Sequence, residues 1–169
     1  MEEKTLIIIR HAKSSWADYG CPDFDRALNK RGLRDAPFMA KKLKELSGFT
    51  PDLIITSPAN RAKTTAQYFH EEFGLSKEQF REDQKLYHAS TTMLINVIRK
   101  APDNVDTLAI TAHNPGLTNF ANEFPRFSID NLPTSGIVVI KLNIPTWQSF
   151  NFEKGVVTSF LYPKKYLHA

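Results

Sequence analysis

Two arginines and two histidines follow short apolar runs along this chain. The run TLIII at 5–9 breaks off into Arg10 and His11. The run DLIIT at 52–56 leads into Ser57 and then Arg61, and TLAIT at 107–111 leads into His113. Guanidinium groups bind oxyanions through planar, paired hydrogen bonds, and a neutral imidazole is a nucleophile or a base near pH 7. Two of each gathered in one place make a pocket for a dianion, with phosphate the natural candidate. A lone histidine after a strand is more often a turn residue, and a lone arginine is usually solvated. Four such residues at the ends of three apolar runs form a pattern that scatter along loops does not produce.

A metal site is the competing reading, because two histidines with Asp23 and Asp25 nearby are possible ligands. It is disfavoured on electrostatic grounds. Two guanidinium groups repel a divalent cation, and no carboxylate stands at the run ends beside the histidines. No metal and no cofactor are expected.

The elements that must position these groups can be read from periodicity. The three runs are near-continuously apolar and β-branched rather than alternating, as in parallel strands covered on both faces. In an open parallel sheet ligands bind outside the carboxyl ends of the strands. If the three are neighbours, Arg10, His11, Arg61 and His113 meet at one mouth. Helical spacing lies between the runs. Leu33, Ala36, Ala40, Leu43 and Leu46 mark one helix, in which Pro37 predicts a kink or a late start. Ala62, Ala66 and Phe69 mark a second within 59–73. Met93, Leu94, Val97 and Ile98 mark a third, capped by Ser90 or Thr91, and Leu117, Phe120, Ala121 and Phe124 mark a short fourth. Later, GIVVIKL at 136–142, QSFNF at 148–152 and VVTSFLY at 156–162 read as strands, with Gly155 turning between the last two. The fold class is therefore α/β, with antiparallel strands added late.

At 169 residues the chain predicts a single domain spanning 1–169. Apolar residues make up 41% and charged residues 24%, an ordinary globular composition. Cys21 is the only cysteine, so no internal disulfide is possible, which fits a reducing cytosol and an idle thiol. Four or five apolar residues near the N-terminus are too few for a signal-peptide core, and no stretch approaches a membrane span. A cytoplasmic location is expected, with no membrane partner. Net charge is +4, which leans towards anionic substrates. With no basic stripe or stacking motif beside it, this charge does not predict nucleic-acid binding.

Taken together, RHAKSSW, SPANRAKTTA and AHNP resemble the histidine phosphatase superfamily, the phosphoglycerate-mutase-like group. The form RHAKSSW…DFDRALNKRG is similar to its SixA-like phosphohistidine phosphatase branch, and the resemblance runs from about Thr5 to Leu142. It implies a three-layer sandwich with a mainly parallel central sheet and helices on both faces. It also implies that His11 is a nucleophile carrying a phosphohistidine intermediate. Arg10, Arg61 and His113 would then grip the phosphate oxygens, and Ser14 occupies a further phosphate-touching position.

The chain departs from the better-known members at several places. Ala12 stands where the mutase-like pattern has glycine, and Ala17 where an asparagine often follows the tryptophan. Asn114 replaces the aspartate that serves as proton donor in acid phosphatases, and His88 stands where a mutase-type glutamate is expected. His88, Asp25 and Asp18 are the remaining candidates for a proton donor, although His88 also reads as a solvent-facing residue before a helix. Trp16, Tyr19 and Tyr87 read either as part of the mouth or as core aromatics.

The implied activity is metal-independent removal of phosphate from phosphohistidine on a protein. A small-molecule phosphomonoesterase or mutase-like enzyme is the enzymatic alternative, and a non-catalytic phosphate-recognition module is the alternative of another class. The expected partner is a phosphorylated protein or a small phosphorylated substrate.

Overall fold

The three apolar runs become neighbouring parallel strands in the computed structural model, which describes residues 3–167. β1 (Lys4–Arg10) pairs in parallel with β4 (Thr107–Ala112), placing Arg10 opposite Ala112. β4 pairs in parallel with β2 (Leu53–Thr56), placing Thr56 opposite Thr111. A short edge strand, β3 (Phe80–Glu82), extends the parallel set beyond β2. On the other side β5 (Ile137–Leu142) runs antiparallel to β1, and β6 (Gly155–Leu161) antiparallel to β5. The order across the sheet is β3-β2-β4-β1-β5-β6.

Both faces of the sheet are covered, which accounts for the unbroken apolar runs. Ile7, Ile9, Ile54 and Ala109 point to one face and pack with Met39, Leu43 and Phe69. Those partners come from α1 (Lys30–Ser47) and α2 (Asn60–Glu72). Leu6, Ile8, Ile55, Leu108 and Ile110 point to the other face and pack with Leu94, Ile98, Leu117 and Phe120. These belong to α3 (Thr91–Arg99) and α4 (Gly116–Ala121). Each buried aliphatic side chain contributes roughly 1.5–3 kcal/mol of transfer free energy, so neither face of a central strand tolerates polar alternation.

The helix starts follow local capping. Asn29 accepts from the Gly32 N–H at the start of α1, and Ser90 accepts from the Met93 N–H at the start of α3. α1 begins well before Pro37 and contains it, so the late start allowed by the sequence does not occur. Among the described residues, no helix is long and apolar enough to cross a membrane.

One expected strand is absent. QSFNF forms no strand; its chain turns through short 3-10 segments at Trp147–Ser149 and Phe152–Lys154. β6 already occupies the free edge of β5, so the alternating apolar residues go into the core instead. Phe150 lies in an aromatic cluster, 5.8 Å from the Phe120 ring and 5.1 Å from the Phe152 ring. Trp147 is fully buried, and its Nε1 donates to the Val105 carbonyl at 2.7 Å.

Candidate active site

The strand order sets the carboxyl ends of β2, β4 and β1 side by side, so Ser57, His113 and His11 emerge next to one another. The backbone of His11 is tied down on both sides. Its N–H donates to the Ala112 carbonyl at 3.2 Å, and its carbonyl accepts from the Ser135 N–H at 3.1 Å. Arg61 lies in the first turn of α2, whose position against β1 is fixed by Thr65. That hydroxyl donates to the Arg61 carbonyl at 2.7 Å and accepts from the Ala12 N–H at 2.9 Å. The loop after His11 lies so close to α1 that a Cβ on Gly32 would stand 2.1 Å from the Lys13 carbonyl oxygen. Arg10, His11, Ser14, Arg61 and His113 border one recess of about 200 Å³.

His11 is buried, with 7% of its surface exposed. Its Nδ1 lies 2.8 Å from the Ala12 carbonyl, and because a carbonyl only accepts, Nδ1 carries the proton. Nε2 is left with its lone pair. Burial, followed by the charges of Arg61, Arg10 and Arg26, holds this imidazole down to about 3, so it is neutral at physiological pH. The His113 ring stands 5.2 Å from that of His11, and its Nε2 lies 2.7 Å from Ser57 Oγ. Burial and then the neighbouring His11 hold His113 down to about 3 as well.

Three arginines surround these rings. Arg10 Nη1 donates to the Leu132 carbonyl at 2.9 Å. Arg61 donates from Nη1 to the Asp23 carbonyl at 2.8 Å and from Nη2 to Asp23 Oδ2 at 3.1 Å. Arg26 reaches Ser14 Oγ through Nη1 and Asp23 Oδ1 through Nη2, the latter at 3.0 Å. The same carboxylate accepts from the Tyr87 hydroxyl at 2.6 Å. The Tyr87 bond, then those from Arg26 and Arg61, hold the Asp23 carboxyl well below the usual range, so it is ionised. Asp23 is thus a brace joining two guanidinium groups and a phenol.

Six buried side-chain nitrogen or oxygen atoms have no hydrogen-bond partner among the described residues. Four of them, Nε of Arg10, Arg26 and Arg61 and Nδ1 of His113, belong to residues bordering this recess. Fixed guanidinium groups together with a neutral, oriented imidazole suit transfer of a phosphoryl group.

The other sequence candidates divide clearly. Ser14 is buried and borders the recess. His88 also borders it, exposed at the rim with a left-handed backbone φ of 57°. Asp25 and Asp18 are exposed and do not border it. Trp16 borders it with its ring 3.8 Å from the Arg26 guanidinium carbon, Tyr87 supports it through Asp23, and Tyr19 is 99% exposed away from it. The Ala12 side chain packs with Leu28 and Ala36 and does not border the recess. Asn114 ties loops together, donating to the Leu132 carbonyl at 2.9 Å and accepting from Thr118.

Arg26 and the bracing role of Asp23 were not foreseen from sequence. Their available signal was the three-residue spacing of Asp23 and Arg26 in a short turn that lies against the first residues of α2. Asp23, considered above as a metal ligand, faces guanidinium groups instead. Among the described residues no three of His, Cys, Asp and Glu gather as a ligand set.

Residues 6–87 match the model of the histidine phosphatase superfamily (branch 1). An uncharacterized protein of Mycobacterium tuberculosis is 31% identical over 144 residues, covering 79% of this chain and 87% of that protein. A structure assigned as phosphohistidine phosphatase SixA from Agrobacterium tumefaciens is 25% identical, with a TM-score of 0.78, and covers 95% of this chain and 98% of that one. A structure of the protein histidine phosphatase SixA complexed with tungstate shares the fold, at 18% identity and a TM-score of 0.79, over 95% of this chain and 98% of that one.

Proposed function

The chain belongs to the histidine phosphatase superfamily, and on that premise we propose that it is a metal-independent phosphatase acting through His11 on phosphohistidine carried by a protein. The observation that carries this reading is the state of His11. Its Nδ1 proton is committed to the Ala12 carbonyl, so a neutral Nε2 is presented among Arg10, Arg26 and Arg61.

In this mechanism Arg10, Arg61 and His113 seat the phosphoryl oxygens, with Arg26 and Ser14 beside them. Nε2 of His11 attacks phosphorus, and the bond from phosphorus to the leaving atom breaks with its electron pair going to that atom. The guanidinium groups stabilise the charge spread over the transferring group, which is the electrostatic role a metal would otherwise fill. Water then attacks phosphorus, frees Nε2 and releases inorganic phosphate.

The substrate class follows from the supply of protons. An alkoxide leaving group needs a proton as its bond breaks. Asp23, the carboxylate braced by the site's arginines, is held ionised and is no donor. Of the three candidates offered by the sequence, Asp18 and Asp25 lie outside the recess and His88 stands at its rim. A phosphohistidine imidazole can be protonated before its bond to phosphorus breaks and then departs as a neutral ring. The test is kcat/KM for a phosphohistidine protein against phosphoserine and a sugar phosphate at one pH. A strong preference for phosphohistidine is expected, and equal or faster cleavage of the alkyl esters overturns the reading.

A further inference from the structure

A second recess, of about 480 Å³, lies beside the first, between the segment from His88 to Thr92 and the start of α4. His88, His113 and Asn114 border both spaces. A group bonded to a phosphoryl held by Arg10 and Arg61 therefore has this second space next to it. The volume falls within the range of small-ligand sites, roughly 300–1,000 Å³.

The walls restrict what can occupy it. All three guanidinium groups belong to the first recess, and the titratable side chains bordering the second are His88 and His113 alone. Ser90 accepts from the Met93 N–H and keeps its own hydroxyl proton to donate. Thr91, Thr92 and Asn119 add further hydroxyl and amide groups. Asn114 is a wall rather than a ligand, since its amide is engaged with Asn131, Leu132 and Thr118. The two sides meet without a side chain between them, because a Cβ on Gly116 would stand 2.0 Å from the Ala89 carbonyl oxygen. The His88 and His113 rings, 6.2 Å apart and inclined at 39°, are the aromatic part of the wall that the two recesses share.

We propose that this second recess is the leaving-group subsite, and that it takes a polar ring with neighbouring carbonyl acceptors and no negative charge of its own. The imidazole of a phosphohistidine with its adjoining peptide unit meets that description. A second phosphate or carboxylate finds no arginine or lysine there to pair with. The inference rests on the phosphatase reading above and adds the side of the site that selects the leaving group.

The test fills the recess from its rim. Thr92 and Asn119 are exposed positions, so Thr92→Trp and Asn119→Trp alter the recess without entering the core. Phosphoramidate, whose leaving group is ammonia, serves as the small substrate, and a phosphohistidine peptide as the large one. Turnover of phosphoramidate should stay within about twofold of wild type, which also shows that the variants are folded. Cleavage of the peptide should fall at least about tenfold, chiefly through KM. In the wild-type protein, phenyl phosphate should be cleaved faster than its carboxylated analogue. No change in either variant, an equal loss on both substrates, or preference for the carboxylated ester overturns the subsite. Wild-type protein that cleaves neither phosphoramidate nor the peptide overturns the phosphatase reading itself.

Discussion

Asp23 takes two hydrogen bonds from Arg61, one on its backbone carbonyl at 2.8 Å and one on Oδ2 at 3.1 Å. Its other carboxylate oxygen accepts from Arg26 at 3.0 Å. One acidic residue thereby fixes the planes of two guanidinium groups. It also offsets one of the positive charges that Arg10, Lys13, Arg26 and Arg61 bring to the recess. Asp23→Ala should lower kcat/KM on an aryl phosphate by about 10²-fold, the scale of losing one preorganised donor. Asp23→Asn should fall between, since its amide oxygen still accepts from one guanidinium group. Steady-state kinetics check this, and an Asp23→Ala rate within about twofold of wild type would remove Asp23 from the machinery.

Binding and chemistry should separate at His11. His11→Ala should abolish turnover yet keep phosphate or vanadate binding within about tenfold, because the arginines remain. Arg10→Ala and Arg61→Ala should weaken binding and lower the rate by about 10²-fold or more. Calorimetric titration with vanadate reads the first quantity and initial rates the second. Chelators should leave the wild-type rate unchanged, and a chelator-sensitive activity restored by a divalent cation would contradict the metal-independent mechanism.

Stability should decline in acid over a defined window. Burial holds His11 and His113 down to about 3, whereas an unfolded histidine titrates near 6.5. Between those values the unfolded chain binds more protons than the folded one, so stability is lost as pH falls from about 6.5 towards 3. The slope reaches about 1.4 kcal/mol per pH unit for each histidine. Asp23, held below the usual carboxylate range, contributes stability at neutral pH that is lost at still lower pH. Urea unfolding followed from about pH 7 to about pH 4 measures this. A flat profile across that range would show that the two rings are not held neutral by burial.

What was legible in the sequence was what repeats along a strand or stands at its end. The unbroken apolar runs identified β1, β2 and β4, and the rule for parallel sheets placed Arg10, His11 and His113 together before any contact was known. Arg61 was legible because it opens the helix after β2. What was missed depends on packing between segments distant in sequence. Arg26 enters the site because the stretch after His11 folds back, pairing Ser14 with Leu28 and setting Asp23 against Arg61. β3 has three residues, too few to show a period, and exists because the free edge of β2 receives it. QSFNF alternates as a strand does, but with β6 on the edge of β5 its aromatic residues are worth more in the core.

Passage of the phosphoryl group through Nε2 of His11 can be read by rapid acid-free quenching with isotopically labelled substrate. The expected result is a labelled enzyme whose phosphoryl group is acid-labile and base-stable, maps to His11 and is absent in His11→Ala. Label on any other residue, or turnover that survives in His11→Ala, would contradict it.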